Sequence, residues 1–412
     1  MNIFFSNIIQ ILISACINTV LWFKKVKVLF ANTSNYFLIP VLSLFLYSCG
    51  EDDKVPAGKN TGEGTSYARG FDIEVMDGHT MLTVYNPWQG ASNVQFRYIL
   101  VDDKKNNENI TPLPEAGDKV IRTPVKSVIC LSTTHIAMLD LIGETGAITA
   151  VSGEDYIYNP DIRKRLENNE LTDIGYDMSL NYERILELGP DIILAYGVDA
   201  EAKAWLNRLM ELGITVVLIG EYLEDTPLAQ AEWVKFVAHL FEKQDLATEK
   251  FREIEKDYLG LSELAKNVKE RPVVMSGLPW RNSWFVPGGN SNFATLISDA
   301  GGRYLWEDNS GRENFPVDIE NVIDRGSIAD YWINTGTALT PADIVNTDNR
   351  LSELRPFVLD NLFNNNARLN SRGGNDYWES GTVNPHIVLR DLIHIIHPEL
   401  LASHQPVYYR KL

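Results

Sequence analysis

The sequence predicts an α/β fold of two similar lobes joined by a long helix and preceded by a small β module. Three observations carry this. From Lys126 onward, apolar runs of strand type alternate with amphipathic helical stretches, the pattern of a mostly parallel sheet covered on both faces. The stretch Ser179–Gly197, SLNYERILELGPDIILAYG, is echoed by Pro316–Gly336, PVDIENVIDRGSIADYWINTG. Each copy has a capping residue (Asn181, Asp318), a glutamate two positions on (Glu183, Glu320), and then a glycine and an Asp that opens a strand-like run. Between the copies, residues 226–268 hold no glycine until Gly260, and apolar residues recur at helical steps.

Taken in order, residues 1–48 read as a signal peptide and N-terminal hydrophobic segment. Residues 3–23 are largely apolar, Lys24, Lys25 and Lys27 follow, and Phe37–Tyr47 is a second apolar run too short to span a bilayer. That run ends in Leu46-Tyr47-Ser48-Cys49-Gly50, which resembles a bacterial lipobox, in which the cysteine is acylated. A transmembrane anchor at residues 3–23 is the other reading. Cys49 is the expected lipidation site, and residues 49–66, rich in glycine and charge, form the tether. The acids Glu51, Asp52 and Asp53 resemble the export signal of surface lipoproteins of the Bacteroides group.

Residues 67–122 form the β module, with the runs FDIEV, TMLTVYNPW and VQFRYILVD and a hairpin signal at Asp77-Gly78. Residues 123–225 form the first lobe: SVICLS, the helix THIAMLDLIG, AITAVSG, a short helix after Asn181, DIILAYG, the helix EAKAWLNRLMELG and ITVVLIG. Residues 226–268 are the linking helix, either one long helix or a bent pair, with Pro227 in its first turn. Residues 269–412 form the second lobe, from RPVVMSG through NFATLISDAGG and ADYWINTG to the helix HIVLRDLIHIIHPEL, stopped by Pro398. Both lobes are expected to be Rossmann-like.

Composition excludes several functions. A net charge of −18 repels nucleic acid and anionic lipid headgroups. Of three cysteines, only Cys130 lies inside the fold, so neither a disulfide framework nor a CxxC metal site is available, and Cys130 is expected in the core. No nucleophile elbow, phosphate loop or metal motif is complete, so neither an enzyme nor a bound cofactor is expected. His394 and His397 share a face of the last helix and read as a helix terminus.

The pattern resembles the two-lobed substrate-binding proteins of bacterial ABC importers for siderophores, haem and vitamin B12. The residues that carry the resemblance are SVICLSTTHIAMLDLIG, SLNYERILELGPDIILAYG, the linking helix and ENFPVDIENVIDRG, across roughly residues 120–412. The β module lies outside the common pattern and looks like an extension met in the Bacteroides group. The resemblance implies a binding protein docked on a two-fold permease dimer, with Glu183 and Glu320 meeting one arginine on each subunit. It also implies a protein held by its lipid anchor in the periplasm or at the cell surface, and a monomer is expected.

The cargo site is expected between the lobes, outside the strand ends. Aromatic residues gather there: Tyr156, Tyr158, Tyr176 and Tyr196 in the first lobe, and Trp280, Trp284, Phe285 and Phe315 in the second. They favour a large, flat, partly apolar ligand over a sugar or amino acid. Arg281, Arg303 and Arg312 fall on loops near them, and their guanidinium groups suit an anionic siderophore or the carboxylates of haem. An iron complex is therefore the expected cargo. Cobalamin is the alternative, and a lipoprotein that captures its ligand at the cell surface is another. The segment DYWE at Asp376–Glu379 is left open between touching the cargo and capping the final helix.

Overall fold

The computed structural model describes residues 65–103, 115, 117–176, 179–197, 202–279 and 283–412. These belong to one compact unit. Cys49, the segment before it, Trp280 and Arg281 lie outside the described residues.

The β module is a four-stranded sheet. Strands β1 (Phe71–Met76), β2 (His79–Tyr85) and β3 (Gln95–Asp102) pair antiparallel, and β4 (Lys119–Thr123) runs parallel to β3. Gly78 takes the left-handed conformation (φ 86°) that the two-residue turn before β2 requires. Alternate residues Phe71, Ile73, Leu82, Val84, Tyr98, Leu100 and Ile121 are buried, the period-2 pattern of a sheet with one covered face.

The first lobe alternates strand and helix: β5 (Val128–Cys130), α1 (Thr133–Leu141), β6 (Ile148–Val151), α2 (Pro160–Glu167), β7 (Thr172–Asp173), α3 (Tyr182–Leu188), β8 (Ile192–Ala195), α4 (Ala202–Glu211) and β9 (Val216–Leu218). Its five strands are parallel in the order β7-β6-β5-β8-β9. Burial is complete along β5 and β8, as continuous apolar runs in a covered parallel sheet demand. Cys130 is 1 % exposed, and burial pushes its thiol up.

Residues 226–268 fold as two helices, α5 (Pro227–Leu240) and α6 (Gln244–Lys266). Thr226 caps the first by accepting the Ala229 N–H, and Pro227 occupies its first turn. The second lobe follows: β10 (Val273–Ser276), β11 (Trp284–Val286), α7 (Asn292–Asp299), β12 (Arg303–Tyr304), β13 (Phe315–Val317), α8 (Ile319–Gly326), β14 (Tyr331–Ile333), α9 (Pro341–Thr347), α10 (Arg355–Val358), β15 (Leu362–Asn364), α11 (Pro385–Ile396) and β16 (Arg410–Lys411). Its sheet has the order β12-β10-β14-β15-β16, with only β16 antiparallel, while β11 and β13 form a separate two-stranded ribbon.

Buried carboxylates tie the module to the helices. Glu232 of α5, fully buried, accepts the backbone N–H groups of Ser66, Tyr67 and Ala68, each at 2.8 Å, and binds Lys235 Nζ at 2.7 Å. Glu224 accepts the N–H groups of Arg69 and Gly70 and the Trp233 indole. Phe71 packs edge-on against Trp233 and Phe236 at 4.7 and 5.4 Å. At the edge of the first lobe's sheet, the Leu218 N–H donates to Tyr98 Oη at 2.9 Å, so the module covers an otherwise open strand edge.

Candidate ligand cleft

Strand order decides where a ligand can sit. In the first lobe the chain winds outward from β5 through β6 to β7, then returns to the other side for β8 and β9. The crevice at such a reversal opens outside the carboxyl ends of β5 and β8, at Leu131–Thr134 and Tyr196–Gly197. In the second lobe the reversal lies between β10 and β14, at Gly277 and Asn334. The two carboxyl ends meet: Thr133 Oγ1 donates to the Trp378 carbonyl, and residues 370–379, which follow β15, touch residues 154–159, which follow β6.

Tyr156 and Tyr176 stand on the loops after β6 and β7, their rings 5.3 Å apart and 57 % and 41 % exposed. Gly153 makes this possible: its φ is +71°, and a Cβ there would come within 2.9 Å of both rings. The loops are stitched by Asp173, whose carboxylate accepts the N–H groups of Gly153, Glu154 and Gly175. Tyr158 is half-buried beneath the Arg368 guanidinium, 5.2 Å from its ring centre. Tyr196 is half-buried beside the His135 ring at 6.4 Å. His135 itself is fully buried, and desolvation pushes its pKa down to about 3.

In the second lobe Phe285 is 49 % exposed on β11, while Phe315 of β13, opposite Val286, is partly buried against the lobe core. Two expectations need correction. Trp284 is 1 % exposed, stacks on Trp332 at 5.7 Å and donates to the Ser276 carbonyl. Alternation along β11 turns it into the core and Phe285 outward. Arg303 starts β12 and pairs with Val273, the first residue of β10. It therefore stands at the amino end of the sheet, away from the crevice. Arg312 is engaged by Asp225 at 2.7 Å, beside a recess of about 450 Å³ between the first turn of α5 and α7.

Some residues at the strand ends escaped the sequence reading. Glu221, just after β9, is 3 % exposed, and one of its carboxylate oxygens accepts from Thr134 Oγ1 at 2.5 Å. Burial raises its pKa to about 7. Trp378 is 59 % exposed at the junction of the lobes. Its position in DYWE was visible, but no periodicity marks that segment as a 3-10 turn with its Trp outward.

Glu183 and Glu320 lie in the first turns of α3 and α8. Each helix follows a strand's carboxyl end and leads back to the amino end of the next, because Asp191 bonds to Ser127 and Asp330 to Val273. Both first turns therefore stand on the side where the crevice opens. The two copies differ in detail. Asn181 accepts the Arg184 N–H, whereas Asp318 makes no capping bond. Glu320 receives Arg350 Nη1 at 2.8 Å, and Arg350 is also gripped by Asp348. Glu183 is exposed, with no ion pair among the described residues.

A sequence model of the periplasmic binding protein family matches residues 128–355. Over 375 residues the chain is 28 % identical to the uncharacterized lipoprotein MJ0878 of Methanocaldococcus jannaschii, covering 86 % of each. The fold is similar to that of a possible iron-binding (periplasmic solute-binding) protein of Staphylococcus epidermidis, with a TM-score of 0.53 and 17 % identity, over 67 % of this chain and 100 % of that one. A periplasmic heme binding protein of Pseudomonas aeruginosa has a TM-score of 0.52 and 17 % identity, over 69 % and 95 %. At such identity these two likenesses speak for the fold. Two mostly parallel α/β sheets with facing carboxyl ends, and a family match over more than half of the length, lead to one assignment: the chain belongs to the periplasmic binding protein family, the solute-binding components of ABC transporters, and is not an enzyme.

Proposed function

We propose that the protein is a lipoprotein, anchored through Cys49, that captures an iron complex, a ferric siderophore or haem, and delivers it to an ABC permease. The observation that carries the cargo class is the exposed pair Tyr156 and Tyr176, with Phe285 exposed on the other lobe. Exposed rings on both sides of a crevice suit a ligand with broad apolar faces. The names of the similar proteins, one a possible iron-binding protein and one a heme binding protein, agree with that class. The name of the Methanocaldococcus relative agrees with the anchor. A monomer at the membrane, in the periplasm or at the cell surface, completes the reading.

Titration with haemin, cyanocobalamin and a ferric trihydroxamate, followed by tryptophan quenching, tests it. Haemin or the trihydroxamate should quench saturably, and Tyr156→Ala or Tyr176→Ala should weaken binding by roughly 3–10-fold each. Saturable quenching by cyanocobalamin alone would retire the iron reading. One observation favours that second reading: Arg303 is remote from the crevice and Arg312 is held by Asp225, so neither is a free cation for an anionic cargo.

Docking is assigned to Glu183 and Glu320, which set register on a two-fold partner more than affinity, since an exposed ion pair contributes about 0–1 kcal/mol. The double variant Glu183→Lys, Glu320→Lys should cut uptake by about ten-fold or more, because reversal adds repulsion at both contacts. Cargo affinity should be unchanged. Undiminished uptake in a strain without other carriers would remove the docking role.

A further inference from the structure

The loop that carries Tyr156 and Tyr158 belongs to the first lobe, yet the second lobe holds it. Glu379, 2 % exposed, accepts the N–H of Tyr158 at 2.7 Å and that of Asn159 at 2.8 Å, across 221 and 220 residues of sequence. Asn159 in turn caps α2, its side chain accepting from Asp161 and Ile162. The same segment of the second lobe makes further bonds. Asn370 Nδ2 donates to the Ile157 carbonyl at 2.7 Å, and Arg372 Nη1 binds Glu154 at 2.7 Å and Asp155 at 3.3 Å. Arg368 lies over the Tyr158 ring while bound to Asp376 at 2.8 Å.

We propose that Glu379 is a positioning residue for the first lobe's half of the cargo site, and that residues 370–379 clamp the lobes together at this end of the crevice. The cargo role of Tyr156 on this loop rests on the proposed function, but the clamp itself does not. A buried carboxyl group that receives two consecutive N–H donors, one on each oxygen, fixes both the height and the tilt of the backbone that bears Tyr158, because paired hydrogen bonds in a water-poor site tolerate little displacement. Separating the lobes at this end would break both N–H bonds to Glu379 together with those made by Asn370 and Arg372. The lobes can therefore pivot about the clamp but cannot part there, and loading proceeds with the Tyr156 loop already in place.

Amide exchange and inter-lobe distances in the full chain, both without cargo, test this. Spin labels at Glu167→Cys and Glu353→Cys, exposed positions on the two lobes, report the distance. In Glu379→Ala, exchange at Tyr158 and Asn159 should accelerate by about ten-fold or more relative to β5 and β8 amides, and the distance distribution should broaden. Glu379→Gln, which keeps an acceptor, should fall between. Should Glu379→Ala fail to fold, Arg372→Ala decides, since that side chain is 46 % exposed. It should broaden the distances and speed exchange over residues 154–159 by roughly 2–5-fold. Uniform acceleration across all amides, or unchanged distances in the variants that fold, overturns the clamp. Failure of every cargo to bind, with these readouts as expected, would count against the proposed function alone.

Discussion

Truncation of Glu232 to alanine should destabilise the protein by about 3–5 kcal/mol, the cost of breaking a buried charged network from one side. The carboxylate is fully buried, holds three successive N–H groups of the strap before β1, and neutralises Lys235, whose side chain is only 13 % exposed. Without it, Lys235 stays desolvated and the strap loses three of its anchoring bonds. Urea denaturation of parent and variant measures the difference, with Glu232→Gln, which retains one acceptor, expected to lose roughly half as much. A loss below about 1 kcal/mol would mean that water replaces the carboxylate and that the strap is not held as described. The β module would then be held by Glu224 and by the packing of Phe71 and Tyr98 rather than by Glu232.

The second large effect is in pH dependence. Burial holds the carboxyls of Glu221 and Glu379 near 7, against 4.5 for an ordinary glutamate. Between those values the folded protein keeps protons that the unfolded chain has released. Their contribution is therefore fully present below about pH 4.5 and is lost as pH rises through about 7, on the order of 3 kcal/mol per group. His135 acts with the opposite sign: its pKa is depressed from 6.5 to about 3, so its contribution is present above 6.5 and disappears as pH falls toward 3. Glu221→Gln isolates one of these groups. The variant should match the parent near pH 4.5 and exceed it by about 2–3 kcal/mol at pH 8. A difference that stays flat across this range would show that Glu221 is solvated in the folded state.

Much of the architecture was legible because it rests on local periodicity. Continuous apolar runs at Val128–Cys130 and Ile192–Ala195 could only be covered strands, and in a parallel sheet the residues that follow such strands lie at one end. That is why Tyr156 and Tyr176 could be placed on loops at the carboxyl ends of β6 and β7 from sequence position. Trp284 and Phe285 show where this logic stops. Both follow β10, but the pairing of β11 with β13, some thirty residues away, decides which of the two faces the core. Arg303 failed similarly, since a two-residue strand beside β10 carries no readable pattern.

Chain chemistry by itself determined the alternation of strands and helices and the doubled motif with its two exposed glutamates, because each depends on neighbours within a few residues. Only the tertiary structure decided the partners of Glu221, Glu224, Glu232 and Glu379. As sequence, each is one more acid in a chain of net charge −18. What separates them from a solvated surface charge is that Glu224, Glu232 and Glu379 grip backbone N–H groups more than 150 residues away and Glu221 a hydroxyl 87 residues away. Hydrogen bonds of that reach leave no period and no spacing behind, so only the folded chain reveals them.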